Sequence, residues 1–201
     1  MSNKKNYQKF LDAIQLDASM SLEKFLIIFD ETVQKKRVRN EDNILKTYKL
    51  VTIEDDVQKM IEKTLIDVRL DKNIFSHFFW LLTITKTHIS DSIIKDISRK
   101  LLENFEGNLM RIDALCRYIS AMKIIEHDGF MLQIVSSHWE KSPVFCAEVA
   151  LRAAEMDCSG FDKYVEKIMK TEGKHNQRAQ YYCDQFRNVR GKIILSKGVK
   201  K

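Results

Sequence analysis

The chain predicts an all-α fold of ten or eleven helices, arranged as a right-handed solenoid of stacked helical hairpins, and three observations carry this reading. Proline occurs once and glycine six times in 201 residues. Sandwiches and barrels of this size need far more turn residues between their short strands. Apolar positions recur at helical spacing, as in Ile53, Val57, Met60, Ile61, Leu65 and Val68, which share one face while Glu54, Lys59, Glu62 and Lys63 fall elsewhere. A helix pattern also recurs without gaps every 35 residues, in blocks opening at Asn73, Asn108 and Pro143. Apolar residues coincide at Ile74/Leu109/Val144, Phe75/Met110/Phe145, Phe79/Ala114/Val149, Trp80/Leu115/Ala150, Leu81/Cys116/Leu151 and Ile84/Ile119/Ala154. Such a match predicts units at 73–107, 108–142 and 143–177 whose first helices share one core.

Small polar residues that can accept from the free N–H groups of a first turn mark the helix starts. Ser21 precedes LEKFLIIF, Thr52 precedes IEDD, Ser159 stands three before Asp162, and Ser142-Pro143 sets an N-cap before proline at the first helical position. Gly107, Gly129, Gly160, Gly173 and Gly191 are expected stops. The helices then run over about 4–17, 20–36, 41–50, 53–70, 73–86, 90–105, 108–126, 130–140, 143–157, 161–171 and 174–190. Residues 1–190 form a single helical domain, and 191–201 a basic, flexible tail. The core is expected to hold Phe79, Leu81, Ile84, Ile97, Leu115, Ile119, Leu132, Val149, Leu151 and Ile168.

The second helices repeat less strictly. Ile93, Ile94, Ile97 and Leu101, then Met131, Leu132, Val135 and Trp139, then Tyr164, Val165, Ile168 and Met169 align only after a slip of about four residues. In period and pattern the organisation over about 38–190 resembles irregular α-solenoids of the HEAT or armadillo type. HEAT units often carry a proline in the first helix, where only Pro143 stands here.

The densest apolar runs, FLIIF at 25–29 and FFWLL at 78–82, are too short to cross a bilayer, and the first ten residues lack a secretory apolar run. No membrane contact and a cytoplasmic, intracellular location are the expectation. Cys116, Cys146, Cys158 and Cys183 sit in helical patterns without a CxxC pair, as buried reduced thiols do. His127 and His138 with Cys146 and Cys158 match no compact zinc spacing, and no HExxH helix or glycine-rich phosphate cradle is present. No cofactor, no metal and no catalytic residue is expected, and the chain reads as a non-enzyme.

The charge of +6 is unevenly placed. Residues 187–201 contribute +6, residues 1–39 contribute +3 and residues 40–186 contribute −3. The body is nearly neutral, which argues against one nucleic-acid face along the whole stack. In the last helix Ala179, Tyr182, Cys183, Phe186 and Val189 form an apolar stripe, leaving Arg178, Tyr181, Gln185 and Asn188 outward with Arg187, Arg190 and Lys192 nearby. These seven are the candidate interaction surface, since arginine and tyrosine supply planar contacts. A secondary basic cluster is Lys35, Lys36, Arg37 and Arg39. The leading expectation is a protein–protein interaction module, such as an adaptor, an assembly factor or an immunity-type protein. The alternative is a nucleic-acid binder that grips phosphates with its basic C-terminal helix and tail.

Overall fold

The computed structural model describes residues 72–198, together with Lys59, Glu62 and residues 65–68. The helices expected over 4–17, 20–36 and 41–50 lie outside the described residues, as does most of 53–70. No strand occurs among the described residues. Their helices are α1 (Lys72–Thr85), α2 (Asp91–Glu103), α3 (Leu109–Met122), α4 (Asp128–His138), α5 (Pro143–Glu155), α6 (Asp162–Thr171) and α7 (Gln177–Gly198), with 3-10 turns at Glu106–Asn108 and Ile125–His127. The chain divides into two compact units, Met1–Ile97 and Ser98–Lys201.

In the first unit, α1 buries Phe75, Phe78, Phe79 and Leu82, and the start of α2 buries Ile94 and Ile97. Phe75 and Phe79 stand one turn apart with ring centroids at 5.1 Å.

Helices α1, α3 and α5 end by the same device. Lys86, Lys123 and Asp157 adopt the left-handed backbone, with φ of 55°, 54° and 64°. The next amide then donates to the carbonyl five residues back: Thr87 to Leu82, Ile124 to Ile119 and Cys158 to Ala153, each at 3.0 Å. This Schellman arrangement satisfies carbonyls that the helix end would otherwise leave open. The turn residue comes fourteen positions after the helix start in all three cases (72 to 86, 109 to 123, 143 to 157), and the next helix starts nineteen positions after it (72 to 91, 109 to 128, 143 to 162).

Gly107, Gly160 and Gly173 follow the ends of α2, α5 and α6, but two of the expected stops lie inside helices. Gly129 lies in the first turn of α4, and Gly191 lies inside α7. Gly191 again stands fourteen positions after its helix start, yet α7 runs through it to Gly198, so residues 191–198 are helical where a flexible tail is predicted. Half-burial of Ile193 gives the extra turns some packing. Starts also differ in detail. Ser142 holds the N-cap position without a side-chain hydrogen bond, and Phe161 rather than Ser159 precedes α6. Asn176 caps α7, its Oδ1 accepting from the amides of Arg178 and Ala179 at 3.2 Å each.

In the second unit α5 is central, packing on α3, on α4 and most extensively on α7. Its Cys146, Ala147, Val149, Ala150, Ala153 and Ala154 are all buried, small residues that let the neighbouring backbones approach. Helices α3 and α5 run in the same sense: Arg117 meets Glu148 at 3.5 Å, and further along both helices the Ser120 hydroxyl donates to the Arg152 carbonyl at 3.4 Å. Asn108 joins α2 to α3, its Nδ2 donating to the Leu101 carbonyl and its Oδ1 accepting from Arg111, each at 3.2 Å. Phe79, Ile97, Leu115, Ile119, Val149 and Ile168 are buried as their periodicity predicts. Leu132 and Leu151 are half-exposed instead, Leu151 because it falls at the margin of the stripe of small residues on α5. The side chains of Leu81 and Ile84 lie outside the described residues.

Candidate interaction face

Helix α7 buries Ala179, Cys183 and Phe186 against α5 and α6. At 100° per residue, Arg178, Tyr181, Gln185, Asn188 and Lys192 follow one line along the opposite side. Arg178, Tyr181, Asn188 and Lys192 are exposed and Gln185 is half-buried, so the stripe read from spacing is a continuous outward row. Tyr181 is 58% exposed, a large ring left in water. It meets Tyr182 edge-on at 5.5 Å between centroids. The Arg178 guanidinium lies over the Tyr182 ring, 5.8 Å from its centroid, and donates to the Tyr182 hydroxyl at 3.4 Å. That hydroxyl, and then the carboxylates of Glu148 and Asp113, hold Arg178 even more firmly in its cationic form.

The other two arginines of the predicted surface are engaged within the chain. Arg187 pairs with Asp184 one turn earlier, at 3.8 Å. Arg190 turns inward and is only 21% exposed. Its guanidinium reaches Asp157 at 3.6 Å and Asp162 at 3.7 Å, and donates to the Cys158 carbonyl at 3.5 Å. It thus ties α7 to the connection between α5 and α6, a structural task that its place in the basic run does not announce.

Beside this row, α3 and α5 share a charge network. Arg117 pairs with Asp113 at 2.8 Å and with Glu148 at 3.5 Å, while Arg152 pairs with Glu148 at 2.6 Å and with Asp113 at 3.6 Å. Asp113 and Glu148 occupy equivalent positions of the 35-residue pattern, as do Arg117 and Arg152. Two acids thus balance two bases, and the guanidiniums are spoken for.

No family model, no curated protein and no solved structure matches this chain. Its chemistry has to be read from its own residues. Among the described residues no group of His, Cys, Asp and Glu side chains is placed to hold a metal ion, and no helix is long and apolar enough to cross a membrane. All four cysteines are buried. Burial pushes the Cys146 thiol up to about 12 and those of Cys158 and Cys183 up to about 11, and lifts Cys116 further still, so none is poised as a nucleophile. The cluster of Lys35, Lys36, Arg37 and Arg39 lies outside the described residues, as do Lys200 and Lys201.

One surface feature escapes the sequence reading. Between Leu132 in the middle of α4 and the start of α6, a groove of about 380 Å³ is lined by Leu132, Gly160, Asp162, Lys163 and Tyr164. Lys163 Nζ stands 4.8 Å from the centre of the Tyr164 ring, and Lys167 Nζ lies 5.9 Å from the same ring and 5.2 Å from that of Trp139. In the sequence Trp139 and Tyr164 fall among apolar second-helix positions. The one signal of the feature is the recurrence of lysine at 163, 167 and 170, the spacing of one helix edge.

Proposed function

We propose that this chain is a non-enzymatic protein-binding module, a HEAT- or armadillo-like helical stack that presents the outer row of α7 to a partner protein. The observation that carries this reading is the row Arg178, Tyr181, Gln185, Asn188 and Lys192, centred on a tyrosine left 58% exposed beside a guanidinium stacked on a second tyrosine. Tyrosine and arginine are the side chains that most often dominate protein interfaces, because they bury a large planar area at small entropic cost. The fixed intervals of fourteen and nineteen positions in successive helix pairs support the repeat character, and in repeat stacks such faces are where partners bind.

A protein partner is favoured over nucleic acid by where the arginines go. Arg117, Arg152, Arg187 and Arg190 all pair with carboxylates of the chain itself, which leaves few guanidiniums for a phosphate backbone. The test is affinity capture from the native host after nuclease treatment, with the intact chain compared against Arg178→Ala/Tyr181→Ala. A protein recovered by the intact chain and depleted at least about tenfold by the double variant supports the proposal. Loss of all bound material on nuclease treatment, with sub-micromolar binding of a labelled oligonucleotide at physiological salt, overturns it in favour of the nucleic-acid reading.

A further inference from the structure

We infer that the groove between α4 and α6 is a second docking site, and that it takes an acidic segment of a partner protein anchored by one apolar side chain. This rests on the reading that the chain binds proteins, but on a different surface and different residues.

Lys163 and Lys167 place two ammonium groups within 5.9 Å of the centre of one tyrosine ring, and Lys167 also covers the face of Trp139 at 5.2 Å. Neither lysine forms an ion pair with a carboxylate among the described residues. A ring face offers an ammonium only partial compensation, since its quadrupole is a weaker partner than a full negative charge. Two like charges held on one ring therefore leave a local positive potential that a carboxylate pair would neutralise.

Asp162 is the groove's own carboxylate, and it does not serve that purpose. It turns toward Arg190, 3.7 Å away, which compensates it from the α7 side. The acid at the groove edge is thereby offset by a half-buried arginine while the lysines stay open to a ligand. Lys170, exposed one further turn along α6, lies on the same edge with the exposed carboxylate of Glu166 beside it, so that edge carries three ammonium groups and one carboxylate.

The shape selects the second half of the ligand. Leu132 is half-exposed at the floor, and Gly160, with φ of 92°, brings bare backbone against it, the Leu132 methyl carbons lying 3.6 and 3.7 Å from where a Cβ on Gly160 would sit. The volume of about 380 Å³ is at the small end of ligand sites, room for one leucine- or phenylalanine-sized side chain and its backbone. A nucleobase fits this geometry less well, because the ring faces it would stack on are those the lysine ammoniums already cover.

The test is NMR titration of the full chain with three acetylated, amidated pentapeptides, Glu-Glu-Phe-Glu-Glu, Ser-Ser-Phe-Ser-Ser and Lys-Lys-Phe-Lys-Lys, and with oligo-dT of ten nucleotides. The acidic peptide should shift the resonances of Leu132, Gly160 and Tyr164 saturably, with a Kd below about 1 mM that weakens with salt. The other two peptides should bind at least about tenfold more weakly. Lys163→Glu/Lys167→Glu, whose substitutions are both at exposed positions, should abolish the shifts, whereas Arg178→Ala/Tyr181→Ala should leave them in place. Absence of saturable shifts, equal response to the serine peptide, tighter binding of the oligonucleotide, or persistence in the lysine variant overturns the inference. Because the α7 variant and the lysine variant are scored separately, either surface can fail without the other.

Discussion

The guanidinium of Arg190 stands 3.6 Å from the carboxylate of Asp157, the residue whose left-handed backbone ends α5. One side chain of α7 thus secures the turn through which α5 gives way to α6, and it reaches Asp162 at the start of α6 as well. Replacing Arg190 with alanine removes the cation that two carboxylates share and the donor to the Cys158 carbonyl. The expected loss is about 1–3 kcal/mol in urea unfolding. Arg190→Lys should recover less than half of it, since a single ammonium cannot span three acceptors. Equal stability of Arg190→Ala and the parent would show that the ion pairs are fully screened.

Two substitutions of opposite chemistry, one at a left-handed turn and one inside a helix, have the same expected sign. Lys123 holds φ of 54°, where a side chain is strained and glycine is not, so Lys123→Gly should raise stability by about 0.5–1 kcal/mol. Gly191 sits in the interior of α7 with nothing within 4 Å of the place a Cβ would occupy, so Gly191→Ala should also stabilise, by up to about 1 kcal/mol. Thermal unfolding of the two variants checks both, and a loss at Gly191→Ala would place a turn there in solution.

His138 supplies the pH dependence. Its ring stacks on Phe105 with centroids 3.6 Å apart and planes 3° from parallel. Burial lowers its pKa below the usual imidazole value; the Glu106 carboxylate acts against this and the Lys141 ammonium adds to it. The folded state therefore binds the proton less readily than the unfolded chain. This contribution is intact above the unfolded value of about 6.5 and is lost as pH falls toward the lower folded value. The difference between parent and His138→Gln in unfolding free energy should accordingly shrink as pH drops from 7.5 to 5. A difference that is flat or grows over that range contradicts the stacking assignment.

The thiols should be silent until the fold opens. With all four cysteines buried and their pKa values raised, a chromogenic disulfide reagent at pH 8 should find no fast-reacting thiol in the native protein and four after denaturation. A rapid native phase of one equivalent would mark a site where the helices part.

The helices themselves are legible in the sequence because their apolar periodicity reports directly on which face is buried, and the starts of α3 and α5 fall within a residue of Asn108 and Pro143. The stops are less legible. Glycine is the residue best suited to left-handed backbone, but here Lys86, Lys123 and Asp157 take that conformation, each followed by an amide that donates to the carbonyl five residues back. The outer row of α7 follows from 3.6-residue spacing and is visible in advance. The inward turn of Arg190 and the convergence of Lys163 and Lys167 on Tyr164 and Trp139 depend on how separate helices meet, which no local pattern encodes.

The shared intervals of the helix pairs also act as a length standard for the gene. Residues 109–142 begin and end at structurally interchangeable points, the first residues of α3 and α5. Excising or duplicating that span brings Pro143 to the place of Leu109 and keeps every later turn at its interval from the helix before it, while Glu148 falls one position past the place of Asp113.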